Sequence, residues 1–212
     1  MLTGGQQRLY SCRVSSEPAY TRLSVEARRR QLLKLGADLF ARHSLDELSM
    51  AVIAREAGIS KALLYHYFPS KADFFEATLR AAAEELGVRT EPDPDLPPAE
   101  ALAASLDAFL GWIEENRVAY SKLMQSATSI GEAHTLISQV REGTAQRLLA
   151  GLAPDPTPRV RAAVHGWLGL MDGVCVDWVE HRDMERTEVH ELLLGCLLGA
   201  LTAAGWEPPD NF

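Results

Sequence analysis

The sequence is poor in cysteine, with only Cys12, Cys175 and Cys196 among 212 residues. Neither their odd number nor their spacing fits a disulfide framework or a structural zinc site. Two of them, Cys175 and Cys196, lie in apolar stretches, where a reduced thiol is common. We therefore expect a protein of a reducing compartment, the cytoplasm.

The sequence also has no long hydrophobic run. The longest largely apolar stretch, from Leu192 to Trp206, has 15 residues, which is shorter than the ~20 residues that span a bilayer as a helix. The apolar core of a secretory signal does not occur near the start of the sequence. The sequence therefore predicts a soluble protein without a membrane anchor.

Short motifs of common enzyme sites are missing as well. There is no glycine-rich phosphate loop, no paired metal-ligand spacing and no nucleophile elbow. Asp177 and His181 stand four residues apart and Asp172 is near in sequence, but such a set is more typical of a solvated helix end, where the dipole favours a histidine. We expect no catalytic residue, no metal and no cofactor.

Positive charge is scarce and unevenly distributed, within a formal net charge of −8. Residues 24–87 carry nine basic and nine acidic residues, whereas residues 88–212 carry nine basic and 19 acidic ones. An acidic body repels nucleic acid, so only the N-terminal part is suited to approach it. Residues 1–23 are predicted to be a disordered arm, although three arginines also allow a basic arm that follows DNA.

What the sequence does contain is a helix-turn-helix pattern, SMAVIAREAGISKALLYHYFPSK, from Ser49 to Lys71. Its first serine can cap a helix, and Gly58 can adopt the left-handed conformation that ends one. Ser60 can cap a second helix, and Ser70, followed by an acidic residue at the third position of the next helix, can cap a third. The spacing predicts two short helices and the start of a longer one.

The second of these helices, from Lys61 to Tyr67, is predicted to present a face to the major groove of DNA. Leu64 and Phe68 are expected to point inward. Lysine can approach phosphate or guanine, while tyrosine and histidine offer hydrogen bonds and flat apolar surface. Aromatic residues at helical spacing are more often core, but four ring side chains in four positions cannot all be buried. The predicted DNA contacts are Ser49, Ser60, Lys61, Ala62, Leu63, Tyr65, His66, Tyr67 and Lys71.

The same segment resembles the tetracycline-repressor (TetR) family of bacterial transcription regulators. From Leu39 to Lys71 the sequence is similar to that family's N-terminal signature in the form LF…LSM..IA.EAG.SK..LYHYF.SK. The resemblance covers about Ser24 to Gly87, and Ser44 departs from it where members commonly carry glycine. It implies a DNA-binding domain, and a dimer that pairs through its final two long helices.

Residues 88–212 are predicted to form a helical body. Four prolines between Pro92 and Pro98 break the chain after a helix that is expected to run from Ser70 to Gly87. We therefore expect an arm at 1–23, a DNA-binding domain at 24–87 and a C-terminal domain at 88–212. The predicted helices of the C-terminal domain are 98–116, 117–128, 132–152, 162–176 and 192–201.

The last two predicted helices are apolar nearly all round, so each must be buried on more than one side. A monomer of this size cannot easily bury both. Small residues at helical spacing allow close helix approach. We infer a homodimer formed by a four-helix bundle, with an interface that includes Gly166, Gly173, Gly195 and Gly199.

Asp172 lies within an apolar helix, where a carboxylate is costly to bury without a partner. Large aromatic and sulfur-containing side chains of the same domain supply apolar surface of the kind that small-molecule pockets need. The predicted ligand-binding residues are Trp112, Tyr120, Met124, Trp167, Met171 and Asp172. The alternative is ordinary core, with Asp172 paired to a neighbouring helix or placed on the dimer seam.

The sequence as a whole predicts an all-α fold: an N-terminal three-helix DNA-binding domain and a C-terminal helical domain for ligand binding and dimerisation. The predicted function is that of a repressor that binds a palindromic operator as a dimer. A largely apolar effector, with a basic or hydroxyl group directed at Asp172, would release it. The alternatives are an effector-independent DNA-binding protein and a helical enzyme or carrier.

Overall fold

A computed structural model describes residues 24–43, 47–126, 131–152 and 155–208. The predicted arm at 1–23 and Ser44 lie outside the described residues. Within those ranges the chain forms nine helices and no strand, as the all-α prediction requires. The helices are α1 Val25–Arg42, α2 Met50–Glu56, α3 Lys61–Tyr67, α4 Lys71–Arg89, α5 Pro98–Glu115, α6 Arg117–Ser126, α7 Gly131–Leu152, α8 Pro158–His181 and α9 Arg186–Ala203.

Helices α1 to α3 and the first half of α4 enclose one hydrophobic core. Ile53 from α2 and Leu64 from α3 are fully buried there, together with Phe74 from α4. The rings of Phe68 and Phe74 meet edge to face with centroids 4.9 Å apart, a favourable geometry for aromatic pairs. This core fixes the orientation of α3 relative to α1 and α4.

Helices α5 to α9 enclose a second core, in which α8 and α9 pack along much of their length. The indole N–H of Trp167 on α8 donates to the carbonyl of Leu193 on α9 over 2.8 Å, so a large buried side chain keeps its polar atom satisfied. Leu193, Leu197 and Leu201 are fully buried in this core. None of the described helices is both long and apolar enough to cross a membrane.

Helix α4 belongs to both cores. Phe74 and Ala77 pack into the first core, whereas Ala82 and Leu86 pack against the second. The division that we predict between residues 87 and 88 falls inside the last turn of this helix, which continues to Arg89. Gly87 therefore does not end the helix. The helix ends at Thr90, before the proline-rich segment.

Helices α8 and α9 extend well beyond the stretches predicted from their apolar character. The first was expected over 162–176 and runs from Pro158 to His181; the second was expected over 192–201 and runs from Arg186 to Ala203. The additional turns carry charged side chains on exposed positions. Charge does not interrupt a helix at its solvated ends, so apolar character alone underestimates helix length.

Helices α1 and α4 approach each other closely at Gly36 of α1. A Cβ atom built there would lie 2.5 Å from Oγ1 of Thr78 and 2.8 Å from the ring of Phe74. Thr78 is buried and donates its hydroxyl hydrogen to the carbonyl of Phe74 over 2.8 Å. Both neighbours are therefore held in place, and the glycine is needed for α1 and α4 to cross at this distance.

Replacement of Gly36 by alanine is expected to lower the free energy of unfolding by about 1–3 kcal/mol, since overpacking of a filled core forces side chains or backbone to move. Gly87→Ala is the matched control, because a Cβ there meets nothing within 4 Å and alanine is the better helix former. Urea denaturation of both variants tests this. Equal or higher stability of Gly36→Ala would contradict the close crossing.

Candidate DNA-binding surface and ligand cavity

The turn between α2 and α3 has the geometry expected from the sequence. Gly58 has a φ of 64°, in the left-handed region, which glycine adopts without a Cβ clash. Ser49 and Ser60 accept hydrogen bonds from the backbone N–H groups of Val52 and Leu63 and so cap α2 and α3. Their hydroxyls are thus engaged in helix caps; contact with DNA is a further role that remains a prediction for both.

Helix α3 presents a mixed polar and aromatic face to solvent. Leu64 is fully buried under it, while Leu63 and Tyr65 are 38% and 42% exposed. Nζ of Lys61 lies 5.7 Å from the centroid of the Tyr65 ring, a cation–π distance. The remaining predicted contacts are Ala62 and His66, which are exposed, and Tyr67, which is half-buried.

Tyr67 is less accessible to DNA than the exposed residues of α3. Its ring lies against the rings of Phe68 and His66, with centroid distances of 6.3 Å and 5.7 Å. Lys71 is half-buried at the first position of α4. Ser70 caps that helix: its hydroxyl accepts from the N–H of Asp73 and donates to the carboxylate of the same residue. The predicted serine cap of α4 is therefore present, and Lys71 is the first residue of the helix that it begins.

The helical body contains a partly open cavity of about 570 Å³ that is lined by residues of α4 to α8. This volume lies in the range of pockets that take small organic ligands. All six side chains predicted as ligand contacts line it, namely Trp112, Tyr120, Met124, Trp167, Met171 and Asp172. One wall is supplied by α4, through residues that the sequence did not single out: Leu79, Ala82, Ala83 and Leu86.

Asp172 does not stand alone in the cavity wall. It forms a close ion pair with Arg141 of α7, and its side chain is 15% exposed. Burial raises the pKa of the Asp172 carboxyl, while the neighbouring guanidinium acts in the opposite direction. Pairing with a neighbouring helix was the alternative interpretation of this residue. A basic effector group aimed at a free carboxylate is therefore not what the geometry favours.

Among the described residues, four buried side-chain polar atoms lack a hydrogen-bond partner: Oγ of Ser105, the hydroxyl of Tyr120, Nε of Arg141 and Oδ2 of Asp172. All four residues line this cavity. Oδ2 of Asp172 is the oxygen that forms the ion pair with Arg141, so it has a charged partner although no hydrogen bond is assigned to it. All four atoms have almost no accessible surface, so they lie behind the surface that the cavity offers to a ligand.

The hydroxyl of Tyr120 lies near the thiol of Cys175, which comes from α8 and is fully buried. Burial raises the pKa of Tyr120 well above its usual value, with smaller contributions from Cys175 and Asp172. Burial also raises the pKa of the Cys175 thiol to about 12. Both groups are therefore protonated at neutral pH, and Tyr120 acts as a hydrogen-bond donor.

Ser105 and Arg141 were missed by the sequence analysis, although a signal for both exists. Ser105 lies on the same face of α5 as Leu102 and Phe109, at spacings of three and four residues. Arg141 lies four residues after Ile137 and four before the buried Ala145 on α7. A polar side chain at a position of the apolar stripe indicates either a buried partner or a cavity.

The glycines predicted to form the dimer interface face away from the core of their own chain. A Cβ atom at Gly166, Gly173, Gly195 or Gly199 would meet nothing within 4 Å. Beside them three leucines remain partly exposed: Leu170 is 41% exposed, and Leu192 and Leu198 are each 45% exposed. The close contact between α8 and α9 of one chain is thus not made through these glycines, which lie on an open and largely apolar outer face.

These features define the class of protein as a helix-turn-helix DNA-binding protein with a helical body that contains a cavity. Comparison with known sequences agrees. The profile described as "Bacterial regulatory proteins, tetR family" matches residues 32–78, and the profile described as "Tetracyclin repressor-like, C-terminal domain" matches residues 98–198.

Relatives and solved structures extend the match over most of the chain. The HTH-type transcriptional regulator BetI of Vibrio campbellii is 27% identical over 159 residues, which cover 70% of this chain and 79% of the relative. The HTH-type transcriptional activator FasR of Mycolicibacterium smegmatis is 31% identical over 107 residues, about half of each chain.

A crystal structure of a tetR-family transcriptional regulator from Streptomyces coelicolor is 30% identical, with a TM-score of 0.77 over 86% of this chain and 84% of that one. The chain belongs to the TetR family of bacterial transcription regulators. It is a DNA-binding regulator of transcription and not an enzyme.

Tyr65→Ala and Lys71→Ala are expected to weaken DNA binding in different ways. Loss of Tyr65 should chiefly narrow the difference in affinity between specific and random DNA, because this side chain lies on the exposed face of α3. Loss of Lys71 should lower the magnitude of the salt dependence by about one phosphate contact. Mobility-shift titrations at several salt concentrations measure both effects.

The matched controls are Val118→Ala and Lys122→Ala on α6 of the body, where Val118 is 54% exposed. Neither control should change DNA affinity or its salt dependence. Wild-type affinity in both Tyr65→Ala and Lys71→Ala would remove these two residues from the DNA-binding surface.

Proposed function

We propose that the protein is a ligand-responsive repressor that binds a palindromic operator as a homodimer and is released by a small, largely apolar effector. The nine residues predicted around α3 carry the contacts to DNA. The six predicted residues of the body, joined by Ser105 and Arg141, hold the effector.

The observation that carries this proposal is the double role of α4. Phe74 and Thr78, near its start, are buried against α1. Leu79, Ala82 and Leu86, further along the same helix, form a wall of the cavity. A ligand that pushes on this wall must either move α4 or strain the body, and movement of α4 displaces the core that holds α3. The DNA-binding domains of the two chains of the dimer would then shift relative to each other and no longer fit the two half-sites of the operator.

The outer face of α8 and α9 supports the dimeric state. Open glycines and partly exposed leucines form a surface onto which a second copy can pack closely. A twofold arrangement places the same residues on both sides of such an interface. It also explains why two nearly apolar helices can be stable in a chain of 212 residues.

An effector-independent DNA-binding protein is the alternative. Its cavity would be a packing defect that no ligand fills. The sense of regulation also remains a proposal, because one of the relatives is an activator by name.

Selection of bound fragments from genomic DNA, followed by a screen of hydrophobic compounds for release, tests the proposed function. We expect a site of two half-sites in inverted orientation and at least one compound that both changes tryptophan fluorescence and lowers operator affinity. A compound that prefers the released state tenfold shifts the equilibrium by ~1.4 kcal/mol. Compounds that bind the cavity and never alter DNA affinity would support the effector-independent alternative.

Gly166→Leu and Gly199→Leu are expected to prevent dimerisation. Each leucine would project from the open face without disturbing its own chain, since a Cβ there meets nothing. The variants should therefore keep their helicity but run as monomers and lose operator affinity. Light scattering and circular dichroism measure these properties.

Gly131→Leu at the start of α7 is the matched control, because its position is equally open but lies outside α8 and α9. It should remain a dimer. A wild-type protein that is monomeric at micromolar concentration would contradict the homodimer directly.

A further inference from the structure

We infer that the cavity selects an uncharged, mainly apolar effector. This inference rests on the proposed function, because it takes the cavity as the effector site. It narrows the chemical class of the effector and replaces the basic group that Asp172 alone would favour.

The first argument is the balance of charge in the cavity wall. Arg141 on α7 and Asp172 on α8 neutralise each other. A ligand carboxylate beside the guanidinium would also meet Asp172, and a ligand ammonium beside the carboxylate would also meet Arg141. The other charged residues of the wall, Asp93 and Arg147, again contribute one charge of each sign. A charged ligand would therefore lose its hydration, and every counter-charge in the wall is already balanced by a charge of the opposite sign. Binding of such a ligand is unfavourable.

The second argument is the lack of accessible polar atoms in the wall. Oγ of Ser105, the hydroxyl of Tyr120 and Nε of Arg141 are buried side-chain atoms with almost no accessible surface. Oδ2 of Asp172 is equally buried and is the oxygen that pairs with Arg141. None of these atoms offers a free partner to a charged group of a ligand, which would lose its hydration without replacement.

The third argument is the apolar character of the remaining wall. Leu102, Phe109 and Met124 lie on it together with Trp167 and the alanines of α4. Such a surface favours an alkyl or aryl body, whose burial drives binding. The ligand thus buries a mainly apolar surface in the cavity.

The test uses three probes with the same p-octylphenyl body and different polar ends: p-octylphenyl hydroxymethyl ketone, p-octylbenzoate and p-octylbenzylammonium. Quenching of tryptophan fluorescence in the full-length protein reports binding, because Trp112 and Trp167 line the cavity. At neutral pH we expect the ketone to bind about tenfold more tightly than either charged probe, the order expected for a partly solvated buried charge.

Substitutions that unbalance the ion pair should reverse this order. Asp172→Asn leaves the guanidinium unmatched and should make the benzoate the tightest of the three probes. Arg141→Gln leaves the carboxylate unmatched and should favour the ammonium probe. The double variant should again bind the ketone most tightly of the three probes. Asp177→Asn on the exposed side of α8, outside the cavity, is the matched control and should keep the wild-type order.

Three outcomes would overturn the inference: wild-type protein that binds a charged probe as tightly as the ketone, absence of saturable quenching by all three probes, or an unchanged order of affinities in both single variants. Release of operator DNA is measured separately. A charged compound that releases DNA would refute the uncharged class and leave the proposed function standing, whereas failure of every compound to release DNA would count against the proposed function itself.

Discussion

The structure depends on one constraint, that α4 must be buried in two different cores at once. Its first turns carry large side chains, Phe74 and Phe75, which are buried beside α1. The middle of the helix carries Ala81, Ala82 and Ala83, all half-buried, and the last two line the cavity. Small side chains make fewer dispersion contacts than large ones, so the middle of α4 is held less firmly than its start. Displacement of the part of α4 that lines the cavity is therefore expected to tilt this helix more easily than to rearrange the first core.

The local features of the DNA-binding end could be predicted from sequence because each is encoded within a few residues. A serine that caps a helix, a glycine with positive φ and an aspartate three positions after Ser70 act on their own neighbours. The exposed position of Tyr65 and the burial of Leu64 follow from helical periodicity alone. Helix ends in the body were less well predicted, since the charged turns of α8 and α9 were excluded by a rule based on apolar character.

The polar groups of the cavity could be predicted only in part, for a physical reason. The sequence shows that Asp172 needs a partner if it is buried, but the partner is 31 positions away on another helix. The place of Arg141 on the apolar stripe of α7 makes it unusual without identifying Asp172 as its partner. A cavity is an absence of packing between several helices, and periodicity describes only one helix at a time. Large side chains such as Trp112 and Trp167 indicated where in the C-terminal domain the cavity lies, because they form part of its wall. The sequence could not indicate whether other side chains fill the space next to them.

The distribution of charge determines how strongly operator affinity would respond to an effector under the proposed function. Residues 88–212 carry nine basic and 19 acidic side chains, so the body contributes repulsion and not the non-specific attraction to phosphate that many DNA-binding proteins rely on. Operator affinity then rests on a small number of contacts around α3. A coupling free energy of ~1.4 kcal/mol, a tenfold change in affinity, is comparable to the loss of one base contact, which is worth ~1–3 kcal/mol. Under the proposed function, an effector held in the body therefore needs only a coupling of this size to decide whether the DNA-binding end stays bound.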